Sequence, residues 1–142
     1  MRYSLVCLFC VCCFLPIAGC GPCYPETAPV QGTVTLNGKP LDSGEVQFWS
    51  DDGPAATGRI ETDGKYRLTT FQPDDGAILG GHRIAVKSLQ STLDVSGLVL
   101  FAVPEHYQDP QTSGLTANVK PGMNLIDIDL VPDREGVKRD TQ

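Results

Sequence analysis

In Leu125-Ile126-Asp127-Ile128-Asp129-Leu130, apolar and acidic residues alternate from Ile126 onward. Period two belongs to a strand with one face in a core and one in water, because successive side chains leave opposite sides of the backbone. The same period recurs along the chain. Val30, Val34 and Leu36 share one face of their segment, and Gln31, Thr33 and Thr35 the other. From Gly44 to Ser50, Val46 and Phe48 point one way and Trp49 the other. Tyr66 and Leu68 alternate with Lys65, Arg67 and Thr69, Ile84 and Val86 line one face of residues 82–88, and residues 115–119 add a further strand. Between these runs stand turn formers. Asn37-Gly38 and Asp63-Gly64 are the dipeptides that suit two-residue hairpins with positive φ. Pro73-Asp74-Asp75-Gly76 and Lys120-Pro121-Gly122-Met123-Asn124 make longer turns. Residues 89–97 read as a loop, and residues 98–103 as a central strand or a cover for the core. Residues 104–114 read as irregular. No stretch carries a helical repeat of useful length. The pattern predicts an all-β fold, a single antiparallel β-sandwich of seven to eight strands over residues 30–131.

The first residues follow different rules. Arg2 precedes an apolar run from Leu5 to Ile17 with no charge in it, and small residues follow. That is the plan of a secretory signal peptide, and the run is shorter than the roughly 20 residues a membrane-spanning helix needs. Ile17-Ala18-Gly19-Cys20 resembles the lipobox of bacterial lipoproteins. The resemblance implies cleavage after Gly19, a diacylglycerol thioether on Cys20 and acylation of the new amino group. Two or more acyl chains anchor a protein stably where one does not. Residues 1–19 are then the signal peptide, residues 20–29 a Pro-rich tether, and residues 132–142 a charged, disordered tail. The expected location is exported and membrane-anchored, facing the periplasm or the cell surface. Gly21 is not the aspartate that holds some lipoproteins at the inner membrane.

Six cysteines reduce quickly under this reading. Cys7, Cys10, Cys12 and Cys13 leave with the signal peptide, Cys20 takes lipid, and Cys23 remains as a lone thiol. A disulfide framework is excluded. The chain carries 17 acidic residues against 11 Lys and Arg, a formal net charge of −6, and loss of Arg2 makes it −7. Without a Lys/Arg cluster it lacks the phosphate-neutralising surface that nucleic-acid binding needs. It equally lacks a polybasic patch for anionic lipid, so the lipid on Cys20 is the expected membrane contact.

Gly32-Thr33-Val34, Asn37-Gly38-Lys39-Pro40-Leu41, Gly44-Glu45-Val46-Gln47-Phe48 and Thr62-Asp63-Gly64-Lys65-Tyr66 resemble the opening of carboxypeptidase regulatory-like domains. These belong to the broader transthyretin-like, or prealbumin-like, sandwiches. Residues 76–88, Val103-Pro104-Glu105-His106-Tyr107, Thr112-Ser113-Gly114-Leu115 and Lys120-Pro121-Gly122-Met123-Asn124 are similar to small bacterial lipoproteins of that group. The resemblance spans residues 30–131 and implies a compact sandwich that supports, binds or spaces. It implies no catalytic residues. The enzymatic branch, which hydrolyses 5-hydroxyisourate, ends in Tyr-Arg-Gly-Ser; this chain ends Asp140-Thr141-Gln142 and lacks that tetrapeptide.

The chemistry-bearing residues are few. His82 and His106, the two histidines, fit neither a nucleophile elbow nor a zinc spacing, and read as surface or hydrogen-bonded structural residues. Thr112-Ser113 has no base beside it and reads as a turn cap. Asp51, Asp52, Asp74 and Asp75 are candidates for a calcium site at one end of the sandwich. Asp before Gly is also what tight turns require, and structural turns are the expected role. Trp49 points away from Val46 and Phe48. An edge or loop is expected to bury it, and the alternative is an aromatic platform for a sugar ring, shared with Tyr66 or Tyr107.

The expected function is non-enzymatic: a lipid-anchored envelope accessory module that binds a protein partner through exposed edges and loops, with no cofactor. The alternative is a carbohydrate- or calcium-dependent binding module built on Trp49 and the acidic turns. A small hydrolase comes third.

Overall fold

The computed structural model describes residues 24–87, 91–93, 99–101 and 103–132. Residues 1–23 and 133–142, and with them the signal peptide, Cys20, Cys23 and most of the charged tail, lie outside the described residues. The described elements are β1 (Thr27–Ala28), β2 (Val30–Leu36), β3 (Lys39–Pro40), β4 (Gly44–Trp49), β5 (Ala56–Ile60) and β6 (Lys65–Arg67). They continue with β7 (Ala77–Ile78), β8 (Gly80–Lys87), β9 (Ser91–Leu93) and β10 (Val99–Phe101), then a 3-10 turn at Glu105–Gln108. The last are β11 (Leu115–Val119), β12 (Asn124–Leu125) and β13 (Ile128–Leu130). The fold is all-β, as the alternation predicts.

Two main sheets enclose the core. One is antiparallel with strand order β11-β8-β4-β5. In the other, β2 is central, β3 and β6 pair with it antiparallel, and β12 and β13 lie along its other edge in parallel. Val46 and Phe48 of β4 and Ile84 and Val86 of β8 meet Val30, Val34, Tyr66, Leu68, Ile128 and Leu130 in one buried cluster. The rings of Phe48 and Tyr66 approach across it with centroids 6.4 Å apart. The inward residues are the ones the period-two reading selects, because a one-residue slip would send the whole apolar set to water.

Which strand pairs with which departs from the expected order in several places. Asn37-Gly38 makes the expected turn with φ of 51° and 75°, and Lys39–Pro40 folds back on Thr35 and Leu36. At Asp63-Gly64 only Gly64 has positive φ, at 82°. There β5 stays beside β4 while β6 crosses to the other sheet and pairs with residues 31–33 of β2. A bridge between Thr57 and Thr69 and a hydrogen bond from the Glu61 N–H to the Lys65 carbonyl at 2.9 Å still link the two arms. The run at 98–103 is not a central strand: β10 pairs antiparallel with β9, inside the stretch expected to be a loop, as a separate two-stranded ribbon.

The tether reading also changes. Thr27–Ala28 pairs antiparallel with Ala77–Ile78, and Ala28 is buried. Gly76 permits this: a Cβ there would lie 1.8 Å from the Ala28 carbonyl oxygen, and its φ of 84° suits glycine. Tyr24 stacks on Phe71 with ring centroids 4.4 Å apart. The folded body therefore includes residues 24–29, and the expected boundary at residue 30 falls inside it.

Candidate functional site

The strand β4 carries Glu45, Gln47 and Trp49 on the face opposite Val46 and Phe48, so all three look outward from the four-stranded sheet. Along that face the side chains form a chain of hydrogen bonds. The Trp49 indole Nε1–H donates to Gln47 Oε1 at 3.2 Å, and Gln47 Nε2 donates to Glu45 Oε1. Gln47 is buried although it faces outward, and its Nε2 and Oε1 both have partners. A buried amide with its partners satisfied holds its neighbours in one arrangement.

The neighbouring strands complete the face. Register places Arg83 of β8 opposite Trp49, and Thr116 of β11 opposite Arg83. The Arg83 guanidinium donates to the Asp51 carboxylate at 2.7 Å, an ion pair in which both side chains reach water. Gly81, two residues before Arg83 on the same face, has no side chain, and nothing lies within 4 Å of where its Cβ would be. Trp49, Asp51, Gly81, His82, Arg83, Thr116 and Ala117 line a groove of about 310 Å³ at this spot. That is at the small end of ligand sites, which run from roughly 300 to 1,000 Å³.

Trp49 is 41% exposed. The expectation that a loop or edge buries it fails. The companions suggested for an aromatic platform fail as well. Tyr66 lies in the core with its hydroxyl donating to the Ile126 carbonyl at 2.6 Å, and Tyr107 is buried with its hydroxyl accepting from the Val131 N–H at 3.3 Å. Trp49 stands among polar side chains. Sequence reasoning missed Gln47, Arg83, Gly81 and Thr116; only the period-two face shared by Glu45, Gln47 and Trp49 signals any of this grouping.

The other titratable candidates serve the fold. Asp75 Oδ1 accepts from the Thr70 N–H at 2.7 Å, and Oδ2 from the Phe71 and Gln72 N–H groups at 2.9 and 3.0 Å. Asp74 adopts positive φ of 59° at the neighbouring turn position, and its own N–H donates to the Thr69 hydroxyl at 3.0 Å. Asp51 pairs with Arg83, and the N–H of exposed Asp52 donates to the Ser50 hydroxyl at 3.1 Å. The structure does not bring the four aspartates together, and among the described residues no three His, Cys, Asp or Glu side chains gather as a metal-holding group. His82 is buried beside Phe48, its Nδ1 3.0 Å from the Gly80 carbonyl oxygen. Burial lowers its pKa below the usual histidine value, with the Gly80 carbonyl and the Asp52 charge opposing. His106 is exposed and its ring packs on Tyr107 at 3.9 Å between centroids. Ser113 donates to the Ile84 carbonyl and accepts from the Leu115 N–H, fastening the entry to β11.

A larger groove of about 450 Å³ crosses the other sheet, between the outward side chains of Gln31 and Thr33 and those of Lys65 and Arg67, with Glu61 and Leu125 at its rim. Its one ring is Tyr66, whose hydroxyl is engaged with Ile126. Among the described residues no helix is long and apolar enough to cross a membrane.

No family model matches the sequence, and no curated protein matches it. Among solved structures, the chain is similar to a DUF3823 family protein from Parabacteroides merdae, at 13% identity and a TM-score of 0.45, over 77% of this chain and 48% of that one. The chain thus spans about half the length of that protein. It is also similar to a 9R-lipoxygenase from Cyanothece, at 13% identity and a TM-score of 0.40, over 82% of this chain and 18% of that one. A third is the dioxygenase domain of a dioxygenase–carbohydrate-binding protein fusion from a cellulolytic Streptomyces, at 21% identity and a TM-score of 0.35, over 76% of this chain and 81% of that one.

Proposed function

We propose that this chain is an exported lipoprotein, held at the cell envelope by lipid on Cys20, whose sandwich is a non-enzymatic binding module. Its working surface is the outer face of the four-stranded sheet. One observation carries the reading: a half-exposed tryptophan on the outer sheet face is held by Gln47, which Glu45 holds in turn. Large aromatic side chains left in water without a fold role are typical of recognition surfaces. The transthyretin-like resemblance fits a module that binds or spaces. The lipid reading rests on Ile17-Ala18-Gly19-Cys20.

Two experiments in intact cells test the parts separately. Labelling with an alkyne-bearing palmitate analogue should mark the wild-type protein and not the Cys20→Ser form. A photocrosslinking residue placed at Thr116, beside the groove, should give a discrete higher-mass adduct, whereas one placed at Asp129 on the opposite sheet should not. Equal labelling of Cys20→Ser, or equal adducts from both positions, would remove the corresponding part.

A further inference from the structure

The Trp49 groove joins an apolar plate to a ring of hydrogen-bonding groups. Around the indole stand the Arg83–Asp51 pair, the Thr116 hydroxyl and the Gln47 amide, and the floor at Gly81 is bare backbone. The two formal charges in the groove lie on Arg83 and Asp51 and cancel within 2.7 Å. A charged ligand would have to displace one of them, so the groove suits a neutral one. A purely apolar anchor from a protein partner would cover Arg83, Asp51 and Thr116 without offering their spare hydrogen-bonding positions new partners, which costs free energy.

A sugar ring meets both demands. Its axial C–H bonds form a slightly positive apolar face that stacks on the negative face of an indole. Its rim of hydroxyls both donates and accepts, and so satisfies carboxylate, guanidinium and hydroxyl together. The row Thr116–Arg83–Trp49 crosses three adjacent strands, about 10 Å at the usual strand spacing. That is the length of a disaccharide unit. The flat stacking face is clear of hydroxyls only where all hydroxyls are equatorial.

Resting on the reading of this sheet face as the working surface, we infer that the Trp49 groove binds a neutral glycan of equatorially hydroxylated pyranoses. One ring stacks on Trp49, and its hydroxyls are held by Arg83, Asp51 and Thr116. Gln47 is a positioning residue: it fixes the indole through Nε1 and leaves the ring face open.

Trp49 is the sole tryptophan of the chain, so its fluorescence reports on this groove alone. Full-length lipoprotein in a detergent without a sugar headgroup should be titrated with cellohexaose and with xylohexaose. The expected result is a saturable change in emission with a Kd on the order of 1 mM or tighter for at least one of them. By calorimetry, Trp49→Phe should keep binding within about threefold. Trp49→Ala and Gly81→Leu should each weaken it about tenfold or more. Nothing lies within 4 Å of a Cβ added at Gly81, so Gly81→Leu projects into the groove without a backbone clash and its melting temperature should match wild type. No saturable binding to either sugar, or binding that Gly81→Leu leaves intact, overturns the inference. If the Thr116 crosslinker still captures a partner when the sugars do not bind, the glycan inference falls and the binding-face reading stands.

Discussion

The Tyr66 hydroxyl donates to the Ile126 carbonyl oxygen at 2.6 Å, tying β6 to the break between β12 and β13 on the far side of β2. The phenol is buried, and burial pushes its pKa far above the usual tyrosine value, with the Asp127 charge adding to the shift. Tyr66→Phe removes the donor and leaves that carbonyl short of a partner. It should lower stability by about 1–3 kcal/mol in urea unfolding with an unchanged denaturant slope. A raised folded pKa means the neutral phenol favours the native state. Stability should therefore hold up to about pH 10 and fall above it, where an unfolded tyrosine ionises. In Tyr66→Phe that component of the alkaline fall should disappear.

Gly32 sits where the same break closes on β2. A Cβ there would lie 1.8 Å from the Ile126 carbonyl oxygen, a backbone atom that cannot swing aside. Gly32→Ala should cost about 3 kcal/mol or more, or prevent folding, because the parallel edge must move off β2. Gly81→Ala should change thermal stability by less than about 0.5 kcal/mol, since that position opens on empty space. Comparable losses at the two sites would contradict this packing.

The sequence makes faces legible more readily than partners. Alternation at Val46, Phe48 and Trp49, and at Ile126, Ile128 and Leu130, correctly assigns inside and outside, because burial acts on each strand's own period. It says nothing about which edge a strand finds. Thus β6 leaves β5 for β2, and β13 joins β2 in parallel, through contacts far apart in sequence. The docking of Thr27–Ala28 depends on Gly76, nearly fifty residues away, and so looks like a tether from Pro22, Pro25 and Pro29 alone. At the candidate site, Trp49 is legible as outward, but its exposure depends on neighbours that the period does not name. Arg83 and Gly81 reach it only through the register of β8.

His82 gives the fold an acid-sensitive point. Its imidazole is buried beside Phe48, and desolvation lowers its pKa from the ordinary 6.5. An unfolded chain then binds a proton that the native one resists. The stability this residue supports is complete above about pH 6.5 and is lost as pH falls below it toward the depressed native value. Thermal melts between pH 7.5 and 5 should show a fall in melting temperature that His82→Phe flattens. A profile of the same slope in His82→Phe would assign the sensitivity elsewhere.

Asp75 separates a turn from a metal site. Both of its carboxylate oxygens accept backbone N–H groups, from Thr70 on one side and from Phe71 and Gln72 on the other, so the loop at 70–76 is wound around a negative charge. The Thr70 hydroxyl closes the same loop by donating to the Gly76 carbonyl at 2.7 Å. Hydrogen bonds to a charged group are worth about 1.5–3 kcal/mol each when broken. Asp75→Asn keeps the shape and one accepting oxygen but sets an amide NH2 against N–H donors, and should destabilise the domain by about 2 kcal/mol. A calcium ion would have to pull those oxygens off the amides, and the Asp51 carboxylate is held elsewhere, by Arg83. Millimolar calcium should therefore leave the melting temperature of the wild type unchanged and fail to rescue or worsen Asp75→Asn. A calcium-dependent rise in the wild type that Asp75→Asn abolishes would mean that the ion does displace the amides and that the loop is a metal site.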